Sequence, residues 1–234
     1  MFADVNDLPA QPGGTSPHVV VNSIENVELS EVDFHHLSRV RRVRDGDLVS
    51  ATDGAGSWRW CVVAGSTLVS AGEVHTVKRP AQSLAVGFAL VKGNKPELVV
   101  QKLTEIGIDT IIPFVAERSV VRWDDAKTDR QTKRLETIAR EASMQSRRFW
   151  LPQVLPVTRY QDLIQEESVV RADRDGQPLT SEHRTVLIGP EGGWSAVEQE
   201  STGTVGLGSS VLRSETAAIV AGTLMIALRD RRLS

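Results

Sequence analysis

Cysteine, tyrosine and long apolar runs are almost missing from this sequence. The single cysteine, Cys61, excludes an internal disulfide framework and a cysteine-cluster zinc site. A reducing, intracellular setting is therefore expected. No apolar run reaches the ~18 residues of a membrane helix, so no membrane is expected as a partner. The first residues, Met1 to Val5, carry neither the basic cluster nor the apolar stretch of a secretory leader. A cytoplasmic location follows as an expectation. No metal is expected either. His35 and His36 are adjacent and would point apart on a helix, while His18, His75 and His183 show no ligand spacing. There is no GxGxxG fingerprint and no phosphate loop ending in Gly-Lys-Ser/Thr. No Ser/His/Asp arrangement is legible.

What is present describes a folded chain. Of 234 residues, 40% are hydrophobic and 24% charged, which argues against disorder and leaves room for one or two domains. The net charge of −3 gives no hint of a polyanionic partner, but its distribution does. Residues 1–78 carry a net −4 and residues 79–234 a net +1, while Arg118–Arg148 is locally +4. Arg39, Arg41, Arg42 and Arg44 form a second basic cluster. Such clusters are either solvated helix faces or local sites for a polyanion.

The first third reads as β. Val19–Val21 is a β-branched run, and Asp47–Thr52 alternates polar and apolar. Asp53-Gly54 and Gly56 signal a hairpin before the strand Trp58–Val63. Ser66–Val77 offers one or two further strands, and Leu8–Pro17 reads as a loop. Asp33–Val43 has helical spacing at Phe34, Leu37, Val40 and Val43. Several short strands with turn signals predict a small barrel. The character changes near Arg79-Pro80. Leu84–Val91 and Ile108–Val115 read as buried strands around a helix over Lys95–Ile106, with Pro96 in its first turn and Gly107 after its end. A charged helix over Asp129–Gln145 follows. Thr185–Ile188 and Thr204–Leu207 read as strands, Ala196–Glu200 as a short helix. Ser214 is a candidate cap for a final apolar helix reaching Leu228. The uneven, polar stretch Gln161–His183 is expected to be strand remnants and surface loop. This alternation predicts an α/β layer with a mostly parallel sheet.

Two glycine-rich segments directly follow predicted strands. They are Gly189-Pro190-Glu191-Gly192-Gly193-Trp194-Ser195 and Gly206 through Thr216. In an α/β sheet, ligands bind beyond the carboxyl ends of the strands, and glycine lets backbone approach them closely. Either segment alone could be a tight turn; two together favour a small-molecule pocket. Cys61 falls in a strand, where a buried thiol is the expected state. Trp123, Phe149 and Trp150 lie among basic residues. Such aromatics either stack on unpaired bases or anchor a core.

Taken together, Ile188–Gly193 and Leu207-Gly208 through Val211–Ala217 resemble the two signature loops of the RsmE family, within the SPOUT superfamily. Three further stretches match in the same order. They are Leu90–Gly93 through Glu97, Gln101-Lys102, Glu105 and Gly107; Arg140–Ala142 with Gln145-Ser146, Arg148 and Pro152; and His35–Leu37 with Val40-Arg41, Gly46 and Asp47. The resemblance spans roughly residues 35 to 220. Trp194 stands where the family commonly has Phe, Met144 replaces a common Glu, and Ser210 stands where an Arg is frequent.

The resemblance implies S-adenosylmethionine-dependent methylation of N3 of a uridine in 16S rRNA, with that rRNA within the small ribosomal subunit. It implies a SPOUT-type trefoil-knotted, mostly parallel sheet flanked by helices over residues 79–234. A small N-terminal PUA-like β-barrel domain that binds RNA would occupy residues 1–78, and the chain would pair as a homodimer. Carried onto this sequence, the cofactor residues are Ile188, Gly189, Glu191, Gly192, Leu207, Gly208, Val211 and Leu212. Arg213 and Glu215 are the polar candidates for the chemistry; otherwise they form an ordinary pair opening the last helix, with Glu215 favouring its dipole. Arg39, Arg41, Arg42, Arg44 and Arg148 are the RNA candidates. A SPOUT enzyme acting on another RNA or atom, such as a tRNA ribose, remains an alternative. So do a non-enzymatic RNA-binding or ribosome-assembly protein, which Ser210 keeps open, and an ordinary nucleotide-binding α/β enzyme.

Overall fold

The computed structural model describes residues 8–29, 34, 37, 43–121, 123–165 and 168–232. It divides into two compact units. One gathers the chain up to Arg79 together with Ser143–Leu151, and the other comprises Pro80–Ala142 and Pro152–Ser234.

The first unit is built on a four-stranded sheet in the order β1 (His18–Val20), β2 (Leu48–Thr52), β3 (Ser57–Ala64), β4 (Thr67–Thr76). β1 runs parallel to β2, and the other pairs are antiparallel. The stretch expected to hold one or two strands is the single strand β4. Val19, Val49, Ala51, Cys61 and Val63 fill its core, together with Leu37. Most of the helix expected over Asp33–Val43 lies outside the described residues. Burial pushes the Cys61 thiol up to about 11, so it stays protonated.

Residues 143–151 were assigned by sequence to the second domain; the structure packs them with the first unit. The reason is apolar. Met144 and Leu151 join that core, and Phe149 stacks on Trp58 with ring centroids 5.4 Å apart. Trp150 donates its indole N–H to the Val77 carbonyl at 2.9 Å, and the Arg79 guanidinium lies 5.4 Å from its ring. Phe149 and Trp150 are thus anchors within this unit. Arg147 takes a left-handed conformation, φ 55°, and its guanidinium donates to the Gly14 and Ser16 carbonyls.

The second unit holds an all-parallel sheet in the order β11-β9-β10-β5-β6-β7, with β8 also pairing β6. β5 (Ala85–Ala89) and β10 (Thr185–Ile188) lie side by side at the centre, with Val86 opposite Val186 and Phe88 opposite Ile188. β6 (Thr110–Val115) leads away on one side to β7 (Gln153–Val154) and β8 (Thr158–Arg159). β9 (Val169–Pro178) and β11 (Gly203–Gly206) lie on the other. The helices are α1 (Lys95–Ile106), α2 (Asp125–Ser146), α3 (Tyr160–Leu163), α4 (Ala196–Glu200) and α5 (Ser214–Arg229). Gly107, at φ 113°, closes α1 by donating to the Leu103 and Thr104 carbonyls.

The strand remnants and surface loop expected over Gln161–His183 are corrected here to one full ten-residue strand, β9, inside the sheet. Its polar sequence hid it. Arg171 is 5% exposed, yet its guanidinium is answered by Asp173 at 2.5 Å and the Gln199 carbonyl at 2.7 Å. A second correction concerns Ser214. The cap of α5 is Arg213, with extended backbone and no capping side-chain bond; Ser214 is the first helical residue.

α5 packs against α1, β5 and β10 through Ala217, Ala218, Ala221, Gly222 and Met225. The approach requires glycine at 222, because a Cβ there would sit 2.7 Å from Leu103 Cδ2. At the far end Arg229 pairs with Asp109 at 2.7 Å, and the same carboxylate oxygen accepts the Leu84 backbone N–H. Both partners are largely buried, so removing either would strand a charge.

His18 supplies a pH test of the first unit. Its Nε2 lies 3.2 Å from the Arg148 carbonyl and its Nδ1 2.8 Å from Ser50 Oγ. Burial, chiefly, lowers its pKa from 6.5 to about 4. The unfolded chain therefore takes up a proton that the fold refuses between these values. Stability due to His18 is fully present above pH 6.5 and is lost as pH falls toward about 4. The loss is on the order of 3 kcal/mol. Urea unfolding of wild type and His18→Gln from pH 7 to 4.5 should show a steeper decline in the wild type. Parallel curves would refute this.

Candidate methyl-donor site at the carboxyl edge of the sheet

Two loops leave neighbouring strand ends and meet. The first follows β10 and runs from Gly189 to Ser195. Gly193, at φ 71°, turns it by donating to the Pro190 carbonyl at 2.9 Å. Trp194 folds back into the core, its ring stacked parallel to Phe114 and its N–H donated to the Ala172 carbonyl at 2.9 Å. A Cβ at Gly189 would lie 2.8 Å from the Trp194 ring, so glycine is needed for this closure. Ser195 and Glu198 form a reciprocal capping box at the start of α4. The second Glu198 oxygen accepts the Glu117 N–H at 2.8 Å, tying the loop after β6 to the same carboxylate.

The second loop follows β11 and runs from Leu207 to Arg213. Gly208 sits at φ 138°, in the region that favours glycine. The two loops are joined where Ser214 donates its hydroxyl to the Gly189 carbonyl at 3.2 Å.

The loops enclose two adjoining cavities with Ala172, Val211, Leu212 and Ala217 as a common wall. The smaller, about 150 Å³, lies against Leu207, Gly208 and Ser210, with Asp173 and Arg174 of β9 opposite. The larger, about 390 Å³, is bounded by Ile188, Gly189, Glu191, Trp194 and Arg213. Seven of the eight expected cofactor residues therefore face this pair of cavities. Gly192 does not; its carbonyl lies 3.4 Å from the Arg118 guanidinium instead. Arg213 reaches the rim. Glu215 is not among the lining residues; it is 14% exposed, with Oε2 buried and accepting no hydrogen bond among the described residues.

Lys95 links these acids. Its ammonium contacts Glu191 in the first loop and stands 3.6 Å from Glu215 at the start of α5. The hydrogen bond from Lys95 holds the Glu191 carboxyl below its usual range, with Arg213 and Lys92 adding to the effect. Reciprocally, that bond and the Glu215 charge raise the Lys95 pKa. Sequence reasoning missed Lys95. A signal existed, because a cation in the first turn of a helix opposes the macrodipole and calls for a nearby acid. It also missed Asp173 and Arg174, which lay in a stretch read as strand remnants and surface loop. The Ser195-x-x-Glu198 pattern was available as a capping signature.

Of the RNA candidates, Arg39, Arg41 and Arg42 lie outside the described residues. Arg44 is exposed beside a turn in which its backbone N–H donates to Asp47 at 2.7 Å. Arg148 is half-buried, its carbonyl facing His18. The structure describes no cluster joining the five.

A model of the RNA methyltransferase domain matches residues 78–226. The chain is 32% identical to ribosomal RNA small subunit methyltransferase E of Bacillus subtilis over 81% of its own length and 85% of that protein's. It belongs to the ribosomal RNA small subunit methyltransferase E family. Among solved structures, a probable rRNA-methyltransferase from Porphyromonas gingivalis is similar at 28% identity, with a TM-score of 0.73 over 93% of this chain and all of the other. The Neisseria gonorrhoeae family member, crystallised with S-adenosyl methionine, shares the fold. Its TM-score is 0.78 at 23% identity, covering 91% of this chain and 98% of that one. Membership in this RNA methyltransferase family accords with loops at the carboxyl ends of parallel strands.

Replacing Lys95 by Met should let Glu191 titrate at higher pH, back toward the ordinary carboxylate range. Amide exchange in residues 189–195 should also quicken. Carboxyl carbon NMR and hydrogen exchange read the two effects; an unmoved Glu191 titration would remove Lys95 from the electrostatics of the loop.

Proposed function

We propose that this chain transfers the methyl group of S-adenosylmethionine to N3 of a uridine in 16S rRNA of the small ribosomal subunit. The observation that carries the reading is the meeting of two glycine-rich loops, tied through Ser214 and Gly189, around a bipartite cavity in a family member. A bent ligand fits two cavities that share a wall. The smaller, lined by Leu207, Leu212 and Ala217, suits adenine. The larger, with Glu191 and Arg213 at its edge, suits the charged end of the molecule. When bound, S-adenosylmethionine supplies an electrophilic methyl group on sulfur.

The residues must do the rest. Uridine N3 carries a proton in neutral solution and is a poor nucleophile while it does. Arg213, at the cavity rim, would sit against the uracil carbonyl oxygens and stabilise the anion formed when that proton leaves. Glu215 is the candidate acceptor for the proton, directly or through Arg213-bound water; a positioned base contributes typically ~10²–10⁴-fold. The buried Oε2, which accepts no hydrogen bond among the described residues and faces the Lys95 ammonium at 3.6 Å, supports that role. Backbone groups of Gly189 and Gly208 would fix the donor in line with N3, and orientation contributes without further chemistry.

In the same reading, the second unit, Pro80–Ala142 with Pro152–Ser234, is a SPOUT domain whose final segment is threaded as a trefoil knot. Ser214 bound to the β10 loop, with α5 lying against β5 and β10, supports that threading. The first unit, the chain up to Arg79 with Ser143–Leu151, is a PUA-like barrel that binds RNA, for which the four-stranded sheet is the supporting element. Arg39, Arg41, Arg42, Arg44 and Arg148 serve as RNA contacts. The chain acts as a homodimer in the cytoplasm.

The test uses labelled S-adenosylmethionine and small subunits that lack uridine N3 methylation. Digestion should yield labelled 3-methyluridine; label in any other nucleoside would replace the substrate atom. Arg213→Ala should lower kcat by about 10²-fold and move activity to higher pH, where N3 ionises unaided. Full turnover with an unchanged pH profile would take Arg213 out of the chemistry.

A further inference from the structure

On the other side of the 189–195 loop lies a separate cavity of about 420 Å³, at the carboxyl ends of β6 and β8. Its size falls in the range of small-ligand pockets. One wall is Trp123, which is half-buried and packed against the main core. Arg159 and Tyr160 also line the cavity, with Arg159 paired in register to Val115. Glu117 and Gln161 complete the lining and are exposed.

Accounting for the polar groups separates structural from available ones. The Tyr160 hydroxyl lies 3.2 Å from the Glu198 carbonyl and 2.7 Å from Ser201 Oγ. The Glu198 carboxylate is consumed by the N–H groups of Glu117 and Ser195. Arg159 is exposed and forms no ion pair among the described residues. The cavity thus offers an aromatic face, an uncommitted guanidinium, an amide and an exposed carboxylate. An unstacked base bound on such a face, with its phosphate on a guanidinium and its edge donors on a carboxylate or amide, uses all four. Glu117, which lines this cavity, donates its N–H to Glu198 of α4, and its neighbour Arg118 contacts the Gly192 carbonyl, so this segment is tied to the 189–195 loop that lines the larger donor cavity.

We propose that the Trp123–Arg159 cavity is a second nucleotide site, which takes one unstacked nucleotide of the RNA substrate while its neighbour enters the methyl-transfer site. This rests on the methyltransferase reading above. Its role is to hold RNA, so Arg159 affects substrate affinity and leaves the donor cavities alone.

The test compares wild type with Arg159→Glu and Arg159→Lys in the full chain, using a 16S rRNA transcript over a salt series. Arg159→Glu should raise the KM for rRNA about 10-fold and reduce the salt slope of binding by about one, with S-adenosylmethionine affinity unchanged. Arg159→Lys should recover most of the slope. A transcript carrying 4-thiouridine should photocrosslink to the peptide containing Trp123. Equal KM and slope in wild type and Arg159→Glu, with crosslinks elsewhere, would overturn the site while leaving the activity intact. A wild type that transfers no methyl group to rRNA, yet loses rRNA affinity on Arg159→Glu, would overturn the methyltransferase reading and keep the site. A wild type that neither binds nor methylates rRNA would overturn both.

Discussion

The final helix has to lie flat on the sheet, and most of the second unit follows from that. Its buried face is made of Ala217, Ala218, Ala221 and Gly222, residues small enough to bring its backbone against α1 and the central strands. Each end is pinned by a different interaction. Ser214 reaches the Gly189 carbonyl at one end, and Arg229 reaches buried Asp109 at the other. A helix held this way cannot slide, so the preceding loop is delivered against the loop after β10. The bipartite cavity is the consequence.

Sheet order decides which loops can meet. β10 stands beside β5 at the centre, and β11 lies two strands away beyond β9. Every pairing in this sheet is parallel, so the strands end on the same edge, where unsatisfied backbone and glycine leave room for a ligand. Buried polar groups then make that edge rigid. Glu198 gathers the backbone of two loops, Trp194 fastens the first loop to β9, and Arg171 is neutralised by Asp173. Charge is handled differently at the rim. Lys95 stands between Glu191 and Glu215, so two acids share one cation across two loops.

Much of this was legible where side-chain period and local signals agreed. The helix Lys95–Ile106, the strand Thr185–Ile188 and the short helix Ala196–Glu200 appear with the bounds expected from pattern. The apolar stripe and αL glycine of α1 are local features, and each acts within a few residues. β9 was legible only as strand remnants, because its buried arginine is paired with an acid two residues along the same strand and with a distant carbonyl, and such pairing is invisible to a hydropathy pattern. Residues 143–151 were misplaced for a similar reason. Their helical and aromatic character is plain, but which core receives Met144 and Phe149 depends on long-range contacts.

The sequence by itself determined the two glycine-rich loops, their positions after strands, the residues able to face a ligand, and the family they resemble. Short-range chemistry suffices for that, since turns, caps and periodicity are written within a few residues. Only the tertiary structure decided that Ser214 is a tether rather than a cap, that Lys95 joins the two acids, and that Gly192 turns toward Arg118 and away from the cavities. Each joins elements distant along the chain. A hydrogen bond or ion pair across that distance exists only once packing has brought its partners within about 3–4 Å.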